Sequence, residues 1–379
     1  MPQPTAQNPA LAKTRSEPLM SACTAWWQTT ILYQIDPHRF QERNPERTLA
    51  GISQWLDHIA GLHVGAIGLL PLSPPLQHAS GHDAVSASPL HFGPLETFDL
   101  LLAGAHARGI KLLLDLSSIE NEPPHPSNSS SPPPAGLSDP LDSLHFWLGR
   151  GVDGFRINLH EWLVKDSLPQ DTAPLDSQDR VGSHTGWAQP TALPVGGQLH
   201  TLPTHFQWID APWQASSVRS QVDRYSASQP PDSWPHWALR SRPQQAVRID
   251  ADQKRVAAML LLTLRGTPLC CCGDELEVGH SFFRALAALR QPSPALTLGT
   301  YRSLDAGPEN IYAYQREHGD ERILVVLNFA DTTHRLNLSA AGTEADILLS
   351  TGMQSTGKVR LRGLYIVGHE GLILRLRNR

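Results

Sequence analysis

Short apolar runs alternate with amphipathic helical stretches from about residue 31 to 290, and this rhythm restricts the fold more than any other feature of the chain. "ILYQI" (31–35) precedes the helical "LAGISQWLDHIAGL", and "VGAIGLL" (64–70) precedes "LETFDLLLAGAHARG". "IKLLLDL" (110–116) follows at once, "LDSLHFWLGRG" leads into "VDGFRINL", and "DQKRVAAMLLLTLRG" leads into "TPLCCCG". A strand that returns parallel to its neighbour needs a right-handed crossover, usually a helix, and is buried on both faces. Repeated units of this kind predict an α/β chain built as a (β/α)8 TIM-type barrel. Its functional residues are expected at the carboxyl ends of the strands.

The texture changes towards the end. "NIYAYQRE", "HGD" and "RILVVLNF" read as a hairpin, and "VRLRGLYIV" and "GLILRLRN" add strands, so residues 293–379 are expected to form a small all-β domain. Residues 1–24 are polar and proline-dotted and are expected to be a loose tail, leaving 25–292 for the barrel. Two stretches interrupt it. "NEPPHPSNSSSPPPAG" (121–136) is a Pro/Ser-rich connector, and 167–200 contains neither a convincing strand nor a helix.

Lys and Arg (31) nearly balance Asp and Glu (36), which gives no electrostatic footprint for nucleic acid or an anionic membrane. No apolar run is long enough to span a bilayer, and the first residues lack the apolar centre of a secretory signal, so a cytoplasmic chain is expected. Cys270, Cys271 and Cys272 are adjacent, which suits neither disulfides nor metal ligation; they read as small apolar residues of a buried strand. No cofactor is implied.

Several segments resemble the α-amylase superfamily, glycoside hydrolase family 13, in its bacterial α-glucosidase and oligo-1,6-glucosidase form. "WWQTTILYQIDPHRFQ" is similar to the family's opening strand, and "FGPLETFDLLLAGAHARGIKLLLDL" to the approach to its third. "LHFWLGRGVDGFRI" is similar to the approach to the fourth, and "SWPHWAL" and "RVAAMLLLTLRGTPLCCCGDEL" resemble the seventh and eighth regions. "SPALTLGTYRSLDA" and "ILVVLNF" resemble the C-terminal β-domain. The resemblance implies a reduced or incomplete barrel, because the family's inserted subdomain shrinks here to the 121–136 connector.

The family's chemistry needs a carboxylate nucleophile and a carboxyl acid flanking the glycosidic bond. The position that the resemblance assigns to the nucleophile is Asn158, a neutral amide that cannot form a glycosyl ester. The acid/base should be a glutamate on the fifth strand, and no glutamate occurs between Trp162 and Asp274. The third carboxylate follows an Asn-His pair after the seventh strand, where Ser241, Arg242 and Pro243 stand. Pocket-floor positions survive in part as His82, Asp83, Asp115 and Arg156, while Ile119 and Glu120 replace an amide and an imidazole. The loop "ERNPERT" lacks the converging oxygens of a calcium site, so no metal is expected.

Asp274 and Glu275 are adjacent on one turn and cannot flank a sugar from two sides, which gives them a capping role. Trp26, Trp27, Trp234 and Trp237 fall in core-like segments; Trp187, Trp208 and Trp213 are the candidates for stacking on a sugar ring. The favoured reading is a non-catalytic homologue that binds a protein partner, self-associates through an exposed barrel rim, or holds an α-glucan. The alternatives are a weak α-glucosidase or α-glucosyl transferase using Asp83, Asp115 or another carboxylate, and a remnant without selected function.

Overall fold

The computed structural model describes residues 26–36, 40, 49–69, 95–115, 146–158, 185–188, 206–208, 212–228, 234–239 and 249–377. Eight strands form one sheet: β1 (Leu32–Ile35), β2 (Ala66–Leu69), β3 (Lys111–Asp115), β4 (Gly154–Asn158), β5 (Thr185–Ala188), β6 (Phe206–Trp208), β7 (His236–Ala238) and β8 (Thr267–Cys271). Their order is β5-β4-β3-β2-β1-β8-β7-β6, so β5 and β6 lie at opposite edges with no pairing between them among the described residues. This is a curled, incomplete barrel, opened between its fifth and sixth strands.

Seven of the strands run parallel, as the alternating pattern predicts; β5 does not. It lies within 167–200, where no strand was expected, and pairs antiparallel with β4. An antiparallel neighbour requires no crossover helix, and "SLPQDTAPLDSQDRVGSH" before it carries no amphipathic pattern from which to build one.

The two faces of the sheet bury different residues. Leu32, Ala66, Leu113, Ala238 and Leu269 form a small apolar interior with Trp26 packed against it. Tyr33, Ile35, Ile67, Leu69, Leu112, Leu114, Phe155 and Cys270 belong to the main core under the helices. Helix Leu95–Ala107 faces that core with Phe98, Leu101, Leu102 and Ala105, the spacing of one helical face. Gly109, at φ +70°, turns the chain out of it so that the Ile110 N–H reaches back to the Ala105 carbonyl (3.0 Å). Helix Ala251–Thr263 opens with a reciprocal cap between Asp250 and Gln253 and is buried from Val256 through Thr263. That continuous burial follows from its place between the barrel sheet and the C-terminal domain.

The C-terminal domain contains β9 (Thr300–Leu304), β10 (Ile311–His318), β11 (Glu321–Asn328), β12 (His334–Asn337), β13 (Glu344–Ser350), β14 (Gly357–Arg360), β15 (Arg362–Ile366) and β16 (Gly371–Leu376). Six of them make an antiparallel sheet ordered β14-β13-β16-β11-β10-β9, and β12 pairs with β15. Alternate residues sort between two cores. Tyr312, Tyr314, Ile323, Val325 and Leu327 pack with the barrel helices, while Ala313, Leu324 and Val326 pack beneath β12 and β15. Burial on both faces is why "RILVVLNF" reads as an unbroken apolar run.

Two fully buried arginines hold this junction. Arg290 donates from Nη1 to the carbonyls of Leu262 (2.7 Å) and Leu296 (2.9 Å) and from Nη2 to Gly266 (2.6 Å). Arg316, on β10, donates to the carbonyls of Thr263 (2.6 Å), Leu296 (3.0 Å), Gly299 (2.9 Å) and Thr300 (3.1 Å). These carbonyls end the Ala251–Thr263 and Pro294–Thr297 helices, where acceptors outnumber backbone donors. Neither arginine has a carboxylate partner among the described residues. Burial lowers both from the ordinary guanidinium range, Arg290 to about 10 and Arg316 to about 9.

Candidate functional site

The rim at the carboxyl ends of the strands begins with an anchor below it. Asp153, immediately before β4, accepts from Lys111 Nζ (2.7 Å), from the Leu112 N–H (2.9 Å) and from His106 Nε2 (2.6 Å). Burial pushes its carboxyl up, but these three partners together outweigh burial and hold it below the ordinary carboxylate range. The anchor fixes the register of β3 against β4, setting Asp115 opposite Arg156. One ladder step further, the reversed strand sets Trp187 opposite Arg156 and Thr185 opposite Asn158. Asp115, Arg156, Asn158 and Trp187 therefore occupy three adjacent strands.

The remaining candidates are not gathered there. Trp208 ends β6, paired with Ala238 at the other edge of the sheet. Trp213, one of the stacking candidates for which core packing was the alternative, has its ring 4.5 Å from Phe329 and packs against the main core. It stands just before helix Ala215–Ser228 and is half-buried. His82, Asp83, Arg242, Pro243, Ile119, Glu120, Ser241, the "ERNPERT" loop and the 121–136 connector lie outside the described residues. Among the described residues no group of three His, Cys, Asp or Glu is arranged to hold a metal ion.

At the end of β8, Asp274 and Glu275 cap the turn, as their spacing predicts. Asp274 Oδ2 accepts the Cys271 N–H (2.8 Å) and Glu275 Oε2 accepts the Gly273 N–H (2.9 Å). Cys270 and Cys271 are buried in the strand and in no disulfide, and Cys272 is half-buried just after it. Trp237 is buried and donates from Nε1 to the Arg265 carbonyl (2.7 Å), and Trp27 packs edge-on to Trp234. Sequence reading missed the Asp153 anchor, although an aspartate inside "GVDGFRIN", with apolar residues on both sides, was a usable signal.

A sheet of parallel strands in β/α units, opened beside β5 and backed by an antiparallel β-domain, defines a truncated TIM barrel with a C-terminal β-domain. Parts of the chain match two α-amylase-family models. Residues 34–122 match the family model "Alpha amylase, catalytic domain", and residues 301–358 match "Maltogenic Amylase, C-terminal domain". The amino acid transporter heavy chain SLC3A2 of Oryctolagus cuniculus is 26% identical, over 92% of this chain and 77% of its own length. The probable oligo-1,6-glucosidase 2 of Bacillus subtilis is 23% identical over 69% of this chain and 67% of its own, and the probable alpha-glucosidase of Rhizobium meliloti is 29% identical over 46% and 42%. Among solved structures, isomaltulose synthase from Klebsiella sp. LX3 superposes with a TM-score of 0.65 at 16% identity, covering 94% of this chain and all of the other, a likeness of fold. No helix among the described residues is long and apolar enough to cross a membrane.

Proposed function

We propose that this chain is a catalytically inactive α-amylase-family homologue that works by binding a protein partner. The observation that carries the reading is the β4–β5 ladder. Where the family's chemistry calls for a nucleophilic carboxylate, Asn158 supplies a neutral amide, and the strand beside it runs in the opposite direction. The carboxyl end of β5, Ala188, pairs with Phe155 rather than with the rim residue Asn158, so this strand cannot deliver an acid to the rim. Nor is there a glutamate from Leu163 to Gly273 for another segment to supply. Acetal cleavage by the family route requires two carboxyl groups about 5–5.5 Å apart.

Partner binding is supported by the relative whose alignment spans most of both chains, a protein named as the heavy chain of an amino acid transporter. The edges of β5 and β6, which pair with no further strand among the described residues, give the proposal a second support, because sheet edges are normally covered. The cysteines of β8, which form no disulfide, suit a reducing compartment, and the proposal places the chain in the cytoplasm. Size-exclusion chromatography with light scattering tests it together with retention on an amylose column. Self-association or a stable heterocomplex is the expected result. A monomer at high micromolar concentration that co-purifies with nothing and is retained by amylose would replace the protein partner with a glucan.

A further inference from the structure

We infer that the outer edge of the β-domain sheet, at β14, is a docking site for an extended acidic segment of a protein partner. The segment pairs with β14 as an added strand and sets its carboxylates against Lys358 and Arg360. The site belongs to the β-domain and not to the barrel sheet, and it does not depend on the chain being catalytically inactive.

Strand alternation sorts the side chains. Ala345, Val359, Leu374 and Leu376 turn into the core beneath β12 and β15. Their neighbours face the other way, in two rows across β14, β13 and β16: Lys358, Asp346 and Arg375 in one, Arg360, Glu344 and Arg377 in the other. Each carboxylate has a cation on either side. Arg377 is committed to Asp346, donating from Nε (2.9 Å) and Nη2 (2.8 Å). Arg377, and after it Lys358 and Arg375, hold the Asp346 carboxyl below its ordinary range. Lys358, Arg360 and Arg375 are exposed, and none of them forms an ion pair among the described residues. Four cations around two carboxylates leave this face positive, on a chain whose net charge is −5.

The edge itself offers backbone. β14 ends the sheet and pairs with β13 alone, and no hydrogen bond joins 357–360 to anything beyond β13 among the described residues. The opposite edge strand, β9, is tied to helix Ala215–Ser228, with the Tyr301 hydroxyl donating to Asp223 (2.6 Å). A cationic edge refuses a second copy of itself, because Lys358 and Arg360 would meet like charges. An acidic strand meets no such barrier. Lys358 and Arg360 are two residues apart, about 6.8 Å along a strand, which is the spacing of alternate side chains on an incoming one. Asp or Glu at those positions gains charge-assisted contacts while the backbone adds ladder bonds. Only a polypeptide can use those ladder bonds, which favours an acidic peptide over a nucleic acid.

The test is fluorescence anisotropy of the full chain, at low salt, with a labelled peptide of alternating threonine and glutamate. Saturable binding by the wild type is expected. Lys358→Glu combined with Arg360→Glu should weaken it about tenfold or more. Arg224→Glu combined with Arg284→Glu, the same charge change on two helices, should leave it as in the wild type. Three further probes act on the wild type alone and keep the inference exposed if the edge variant does not fold. They are the same peptide N-methylated throughout, a threonine–lysine peptide, and single-stranded oligothymidylate. All three are expected to bind at least about tenfold more weakly than the acidic peptide. No binding of the acidic peptide overturns the inference. So does equal binding of the N-methylated peptide or the oligonucleotide, which would reduce the site to general attraction for anions, or equal loss in the two double variants.

Discussion

On one side of the barrel sheet, β3 and β4 are followed by a reversed β5 whose partners are Arg156 and Asn158. On the other side, β8 is preceded by a helix, buried from Val256 through Thr263, that ends on the β-domain, with its last carbonyls held by Arg290 and Arg316. The first region is where the family's chemistry would stand; the second carries none. The contrast separates two demands on one fold. A buried junction must satisfy most of its polar groups, because an unmade hydrogen bond there costs free energy whatever the protein does. A catalytic rim is wet and contributes little to stability, so its carboxylates can go without unfolding the chain.

The largest effect that would break this comparison is expected at the junction. Arg316→Met leaves the carbonyls of Thr263, Gly299 and Thr300 without their arginine donors and should cost at least about 3 kcal/mol, read by urea denaturation. Arg316→Lys should recover only part of that loss, since one ammonium cannot reach all of these acceptors.

A smaller loss, about 1–2 kcal/mol at neutral pH, is expected for Asp153→Asn below the rim. Its sign with pH follows from the lowered carboxyl of Asp153. The stability it contributes is present above the unfolded carboxylate value and is lost as pH falls through the folded one. Wild type and variant should therefore converge in acid, and a constant gap from neutral pH down to pH 3 would remove Asp153 from the account. Tyr314→Phe, which deletes the 2.5 Å hydroxyl contact with Thr263, should cost only about 1 kcal/mol and leave the melt cooperative.

The βα rhythm, the β-domain and the cap at "GDEL" were legible because each depends on local pattern: apolar period, strand alternation, or carboxylates placed at a turn. The direction of β5 was not legible, since "TGWA" is four residues without a period and its orientation is set by the strand it meets. The packing of Trp213 was not legible for a related reason. Lying in a stretch that departs from the family pattern says nothing about whether a ring is exposed, and Phe329, more than a hundred residues away, supplies its packing. The guanidinium of the arginine in "IYAYQRE" reaches helix ends that no local pattern brings near it.

The most direct test of the proposed inactivity is the release of p-nitrophenol from p-nitrophenyl α-glucoside by the purified wild type, Asn158→Asp, and Asp115→Asn. The account predicts no release above buffer for any of them, because restoring one carboxylate leaves the acid partner missing. Release that scales with wild-type concentration and disappears in Asp115→Asn would contradict it.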